Sequence, residues 1–150
     1  MMGQSIREMA LEMADLIHEI ALCCQNKDVN HASRFNVSTS ECRTLRVFQK
    51  EDNLTMKNLS KKMNLAMSRM TRIVDGLVRK DYVKRGTDQR DRRICLVSLT
   101  ESGSGLVKEM QENYLAMNIN VLESVEPSAR TEVIKALKIL KSAMKESGIQ

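Results

Sequence analysis

Across residues 66–103 the spacing of the apolar residues changes from that of a helix to that of a β-strand. This change constrains the fold more than any other feature of the chain. Met70, Ile73, Val74 and Leu77 recur at intervals of three and four residues or lie side by side, which is the pattern of an amphipathic helix. The later run RICLVSL alternates in the manner of a β-strand, YVKR is a shorter β-prone run, and the polar GTDQRD between them is typical of a hairpin turn. We therefore predict a helix followed by a β-hairpin.

A short helix is predicted immediately before this unit. Thr55 is a suitable N-cap residue, and Met56, Leu59 and Met63 follow it at helical spacing. A turn is expected around Asn64. Two short helices joined by a turn, with a basic second helix, are typical of a helix-turn-helix, and the added hairpin makes the predicted unit a winged helix.

Further helices are predicted on both sides of the winged helix. Residues 5–25 carry an apolar stripe, residues 26–36 lack a sustained period and are expected to form a connector, and Ser38 with Glu41 has the spacing of a capping box that begins a helix over about 39–50. After the hairpin, a long helix should begin at Thr100, break near VEPS, and be followed by a last helix.

The apolar stripes of these flanking helices exceed what one small lobe can cover, so we predict a homodimer. The fold class is mainly α with a small two- or three-stranded β wing. Within a single chain of 150 residues, we expect residues 36–100 to form a winged-helix DNA-binding lobe, and residues 1–30 and 105–150 to form a helical dimerisation region. The predicted dimerisation residues are Met9, Met13, Leu16, Ile20, Leu137 and Leu140.

Charge is distributed unevenly along the sequence. Residues 57–93 hold twelve Lys and Arg against four Asp, a net charge of +8, whereas the rest of the chain holds twelve against fifteen acidic residues, a net charge of −3. Such asymmetry favours a segment that binds a polyanion. A solvated basic surface with no partner is the alternative interpretation.

Several classes of function lack the residues that they need. No run approaches the roughly 20 apolar residues of a membrane span, and the acidic N-terminal region is unlike a signal peptide, so we expect a cytoplasmic protein that does not enter a membrane. No catalytic arrangement, phosphate loop or metal-ligand spacing is found, so we expect no enzyme activity, no cofactor and no metal. Cys23, Cys24, Cys42 and Cys95 are expected to be free thiols packed as small apolar groups.

The segment MTRIVDGLVRKDYVKRGTDQRDRRICLVSLTESG resembles the signature of the MarR (multiple antibiotic resistance regulator) family of bacterial and archaeal transcription factors. In that family a TRLVDxL recognition helix leads into a D-x-x-DRR wing and then into LTxxG. The resemblance covers about 35 residues closely, and the predicted helix order agrees over nearly the whole chain. Two positions depart from the family pattern: Ala66 replaces the usual Ser or Thr cap, and Met67 occupies a position that is often polar.

The resemblance implies which residues contact DNA. The recognition helix would enter the major groove, where Ser68, Arg69, Thr71 and Arg72 are the candidates for contact with bases or phosphates. An ion pair of Arg72 with Asp75 or Asp81 is the structural alternative. Lys57, on the preceding helix, is a candidate phosphate contact.

The wing would enter the minor groove, which suits exposed guanidinium groups. Arg92 is the first candidate for this role, Arg90 the second, and Arg93 completes the basic cluster. We expect Asp88 and Asp91 to orient these arginines through bidentate pairs.

The sequence therefore predicts a homodimeric, sequence-specific regulator that binds double-stranded DNA at a pseudo-palindromic operator. Action as a repressor, and release by a small aromatic or apolar effector, are what the family resemblance implies. Two alternatives stay open at this point. One is a thiol-based redox-sensing regulator, and the other is a winged-helix module that binds an acidic protein without specific DNA binding.

Overall fold

The computed structural model describes residues 5–148. Two compact units are present, Met1–Gln111 and Glu112–Gln150. The chain is mainly helical with one small antiparallel sheet, as predicted. In chain order the elements are α1 (Ile6–Arg34), α2 (Thr39–Val47), β1 (Asn53–Thr55), α3 (Met56–Met63), α4 (Met67–Arg79), β2 (Val83–Thr87), β3 (Cys95–Leu99), α5 (Glu101–Glu123), a 3₁₀ turn (Pro127–Ala129) and α6 (Arg130–Glu146).

Side-chain caps explain where three of the helices begin. Ser38 and Glu41 form the predicted capping box of α2, since the Glu41 amide donates to Ser38 Oγ at 3.1 Å and the Ser38 amide donates to Glu41 Oε2 at 2.8 Å. Thr55 caps α3 as predicted, accepting from the Asn58 amide at 3.0 Å. A further capping box at Ser5 begins α1. These local bonds set the helix starts without help from tertiary packing.

The predicted connector over residues 26–36 is wrong, because α1 continues as a helix to Arg34. No glycine or proline interrupts residues 5–34, so the backbone can extend the helix. His31 and Ala32 are buried, and the His31 ring packs edge-on against Phe35 with ring centroids 5.3 Å apart. Burial of this last turn stabilises the helix where the sequence period had faded.

Three non-glycine residues adopt the left-handed conformation at helix ends. Asn36, Asn64 and Asp81 have φ angles of 54°, 50° and 58°. Asn and Asp tolerate this region better than other residues with a Cβ atom, because their short polar side chains bond locally. Each of these residues turns the chain sharply after a helix.

The core of the first unit lies between α2, α3, α4 and the sheet. Leu45, Leu59, Met70, Val74 and Leu77 have no exposed surface, so the predicted inward face of α4 is confirmed. Phe48 is buried and Tyr82 packs against the same core.

The sheet has the strand order β1-β3-β2, with both pairs antiparallel. Leu54 on β1 and Arg85 on β2 both lie opposite Val97 of the central strand. The two-stranded hairpin predicted from the sequence is therefore joined by a short third strand. Because β1 leads directly into α3, this pairing fixes the helix-turn-helix against the base of the hairpin.

The start of α5 is bonded to the end of the helix-turn-helix. Thr100 caps the helix as predicted, accepting from the Gly103 amide through its hydroxyl at 2.9 Å, and its own amide donates to the Tyr82 carbonyl at 3.1 Å. A Cβ atom at Gly103 would overlap that carbonyl oxygen, so only glycine fits. The LTESG segment thus has a packing role at this junction.

The second unit contains the end of α5, the 3₁₀ turn and α6. The predicted break near VEPS is confirmed, with Pro127 at the first position of the turn. Arg130 closes the break, since its Nε donates to the Val125 carbonyl at 3.1 Å. Over residues 5–148, the helices found are too short or too polar to cross a membrane.

Candidate nucleic-acid interface

Burial of one face of α4 leaves the opposite face in solvent. Met70 and Val74 point into the core, whereas Ser68, Arg69 and Arg72 are exposed, as the sequence predicts. All three exposed side chains lie in the N-terminal half of the helix, which is the half that reads base edges in helix-turn-helix proteins. The fold therefore presents a hydroxyl and two guanidinium groups together.

The N-terminus of α4 has no side-chain cap. Ala66 occupies the N-cap position in an extended conformation, and no side chain bonds to the first amides of the helix. The backbone amides of the first turn therefore have no hydrogen-bond acceptor within the helix. The N-terminus of a helix with such amides favours the binding of an anion. Thr71, a predicted contact, is half-buried, and its hydroxyl donates to the Met67 carbonyl at 2.9 Å.

The wing consists of β2, β3 and the tight turn between them. The turn is closed by two backbone bonds, from the Asp88 amide to the Ile94 carbonyl at 3.1 Å and from the Ile94 amide to the Asp91 carbonyl at 3.0 Å. All three predicted wing arginines, Arg90, Arg92 and Arg93, are exposed. The wing therefore presents its positive charge on a short, backbone-bonded loop.

The two wing aspartates differ from the expected bidentate pairs with arginine. Asp88 Oδ1 accepts from the backbone amides of Arg90 and Asp91 at 2.7 and 3.1 Å, so this side chain shapes the turn. Asp91 Oδ1 accepts from the Arg93 amide at 3.0 Å and from Arg93 Nε at 3.2 Å, which is a single side-chain contact with Arg93. Asx turns satisfy backbone amides in this way, and here they replace arginine pairing at Asp88.

The ion pair that involves Asp75 was not predicted from the sequence. Its carboxylate contacts Arg85 Nη1 of β2 at 2.6 Å, which joins α4 to the wing. Within residues 5–148 no ion pair links Arg72 to Asp75 or Asp81, so the structural alternative for Arg72 is not realised. Arg72 is exposed and positioned for an external anion.

A cavity of about 360 Å³ lies beside the start of α4. Met56, Met67, Ile94 and Cys95 form its apolar part. Lys57, predicted as a phosphate contact, also lines it and is exposed. Arg93 is a further lining residue, so the cavity combines an apolar surface with two cations.

A salt bridge that the sequence did not predict connects the end of α4 to the start of α2. Lys80 Nζ donates to Glu41 Oε2 at 2.8 Å and to the Asn36 carbonyl at 3.1 Å; we call this set of contacts the Lys80 bridge. Glu41 is 8% exposed, and a Cβ atom at Gly76 would lie 2.6 Å from its Oε1. The glycine therefore provides room for the carboxylate against α4.

The cysteines lie in three different environments. Cys42 is buried, and burial raises the pKa of its thiol above the usual value, although nearby Arg46 opposes the shift. Cys95 is half-buried. Cys23 and Cys24 are exposed on α1, so the expectation that all four pack as apolar groups is wrong for this pair. In the described part of the chain, no three His, Cys, Asp or Glu residues are grouped as metal ligands.

The residues predicted to form a dimer interface lie on open surfaces within each unit. Met9, Met13, Leu16 and Ile20 are about half exposed on α1, with values between 45% and 53%. On α6, Leu137 is 50% exposed and Leu140 is half-buried. Apolar rows of this length are rare on the surface of a monomer.

Comparison with known proteins identifies relatives of the same kind as the resemblance implied. Residues 35–94 match the model of the MarR family. The uncharacterized HTH-type transcriptional regulator YfiV of Bacillus subtilis is 25% identical over 120 residues, which are 80% of this chain and 75% of that protein. A MarR family protein from Bacillus stearothermophilus is 25% identical, with a TM-score of 0.82, over 95% of this chain and 99% of that one. Streptococcus pneumoniae FabT, solved in complex with DNA, shares the fold at 21% identity and a TM-score of 0.73, over 95% and 99% of the two chains.

Proposed function

We propose that the chain is a transcription regulator of the MarR family, and that it binds double-stranded DNA as a homodimer at a pseudo-palindromic operator. The observation that carries the proposal is the exposure of basic side chains on both α4 and the wing of one lobe. This arrangement suits double-stranded DNA, which is a polyanion and offers one groove to the helix and one to the wing.

The major-groove contacts are proposed for the exposed face of α4. Arg69 is a bidentate reader of guanine, which presents two acceptors at its edge. Ser68 donates to a base or phosphate, and Arg72, which has no ion pair with Asp75 or Asp81, contacts a phosphate or base. Lys57 and Thr71 are phosphate contacts, although the bond from the Thr71 hydroxyl to Met67 makes Thr71 the weaker of the two.

The minor-groove contact is proposed for the wing. Arg92 is exposed, and the backbone bonds that close the turn limit the number of conformations that it must lose on binding. The narrow minor groove of A·T-rich DNA has the most negative potential and favours inserted arginine. Arg90 and Arg93 add charge on the same loop, while Asp88 and Asp91 maintain its shape.

The homodimer is supported by the exposed apolar rows on α1 and α6. We propose that residues 1–30 and 105–150 of two chains form the dimerisation region, and that residues 36–100 form the DNA-binding lobe. A dimer would place two copies of α4 on half-sites about 34 Å apart, one turn of DNA. Any change in that separation would weaken binding to both half-sites together.

Repression with release by a small aromatic or apolar effector is the mode of control that we propose. A bound dimer would occupy promoter DNA, and an effector that binds better to another separation of the recognition helices would favour release. The cavity beside the start of α4, which Met56 lines, supports an apolar ligand, because a flexible thioether adapts to varied shapes.

Selection of duplexes from a random pool by the full-length protein tests the proposal. We expect enrichment of an inverted repeat, bound by two chains per duplex in light scattering and retained in excess heparin. A winged-helix module for an acidic protein would enrich no sequence and would lose DNA to heparin. That outcome would remove specific DNA binding as the function.

Exposure of the adjacent Cys23 and Cys24 favours a thiol-based redox input as the second candidate. Thiolates at accessible positions are the ones that oxidants reach. Peroxide treatment of wild type and of a double variant, Cys23→Ser with Cys24→Ser, decides between the inputs. A peroxide-dependent loss of operator affinity in wild type that the variant lacks would establish the redox input, and equal affinities throughout would exclude it.

A further inference from the structure

Met67 is an apolar residue exposed at the first position of α4, where the proposed function places the side chains that read bases. Met67 is 46% exposed. Among residues 67–72, all of them described by the structure, the other exposed side chains are Ser68, Arg69 and Arg72. Those three carry hydrogen-bonding groups, so Met67 is the exposed position of this segment that offers apolar contact alone.

The surroundings of Met67 favour contact with a strand of DNA. Its side chain lines the cavity of about 360 Å³ together with Met56 and Ile94, so an apolar group that approaches from outside meets further apolar side chains. Lys57 and Arg93 line the same cavity and are both exposed. These cations suit the phosphates of the strand whose bases would face Met67.

The chemistry of the major groove restricts what Met67 can recognise. Base edges there present hydrogen-bond donors and acceptors, and the one apolar group among them is the C5-methyl group of thymine. A thioether side chain cannot compete with water for the polar edges, whereas contact with the methyl group removes apolar surface from water. We propose that Met67 is a specificity-determining residue that contacts the C5-methyl group of one thymine in each half-site.

This inference rests on the proposed function, and a substitution that changes one methyl group tests it directly. Each thymine of the selected operator is replaced in turn by uracil, which keeps the Watson–Crick edge and removes the methyl group. We expect one position per half-site at which uracil weakens wild-type binding about fourfold, which corresponds to about 0.8 kcal/mol for one buried methyl-sized group. Fluorescence anisotropy titrations measure each duplex.

Variants of Met67 assign that methyl effect to the side chain. Met67→Ala should bind the thymine and uracil duplexes with equal affinity at the sensitive position, and Met67→Leu should retain most of the discrimination. Val78→Ala is the matched control, because Val78 is a 38% exposed apolar residue at the other end of the same helix. This control should retain the full fourfold difference.

The outcomes separate the two proposals. A wild-type protein that enriches an operator but shows no uracil-sensitive position overturns the role of Met67 and leaves the proposed function intact. The same conclusion follows if Met67→Ala keeps the fourfold difference. A wild-type protein that enriches no duplex overturns both.

Discussion

Arg92 and its neighbours on the wing provide charge rather than sequence information in the proposed complex. We expect Arg92→Ala to weaken binding to every duplex, most strongly where A·T-rich flanks narrow the minor groove, and to lower the slope of log K against log salt by about one unit. Titrations on operator and scrambled duplexes at several salt concentrations measure both quantities. A loss confined to the operator would contradict this role.

For Arg69 we expect a loss of affinity for the operator alone, because a contact with a base edge can form only on the correct sequence. Arg69→Ala should cost about 1–3 kcal/mol of binding free energy on the operator and relax the preference at one position per half-site, with little change on scrambled DNA. Arg79→Ala is the matched control, because Arg79 is exposed at the far end of the same helix. Equal losses for the two variants would argue against base reading.

At the residue scale, the sequence predicted which side chains are exposed better than what they contact. The helical period placed Arg69 and Arg72 opposite Met70 and Val74, because burial follows the period directly. Asp88 was assigned the wrong partners, since the bonds from its carboxylate depend on how the hairpin turn folds. The missed pair of Asp75 with Arg85 joins a helix to a strand, and no spacing rule encodes such a contact.

At the scale of elements, the Lys80 bridge sets the position of α4 against α2. Lys80→Met would leave the mostly buried Glu41 carboxylate without its cation, and we expect the free energy of unfolding to fall by about 1–2 kcal/mol, since the half-exposed lysine is partly screened. Urea denaturation measures the change. Lys84→Met, at an exposed position on β2, is the control and should change stability by less than about 0.5 kcal/mol.

A second variant reaches the same carboxylate from the other side. Gly76→Ala would place a Cβ atom 2.6 Å from Glu41 Oε1, so we expect the side chain to be displaced from Lys80 at a cost of about 1–3 kcal/mol. Gly86→Ala meets no atom within 4 Å and should be close to neutral. If both glycine variants unfolded at the same urea concentration, the bridge would not depend on this close approach.

Helix starts were predictable and one helix end was not. Ser38, Thr55 and Thr100 cap helices through bonds that span three residues, so the sequence contains the whole interaction. The end of α1 depends instead on the burial of His31 and Ala32 against the rest of the lobe. A periodicity measured along the chain cannot detect this tertiary packing.

At the scale of the whole molecule, the exposed rows on α1 and α6 predict obligate association. The double variant Leu137→Glu with Leu140→Glu should give a monomeric or unstable protein, because each leucine forfeits about 1.5–3 kcal/mol of burial. Multi-angle light scattering and thermal melts measure the outcome. Lys141→Glu changes charge at an exposed polar position of α6 and should leave the dimer intact. A wild-type protein that is a well-folded monomer would contradict the proposed dimer.

The length of α1 gives the proposed dimer a mechanical property. The helix runs for 29 residues without glycine or proline, and it is about 43 Å long. A continuous helix of this length transmits a rotation from one end to the other as a rigid rod does. A rotation of about 5° at one end of such a rod moves the other end by about 4 Å, which is close to the rise of one base pair. Small adjustments where two chains meet would therefore be enough to move a DNA-binding lobe out of register with its half-site, with every secondary-structure element intact.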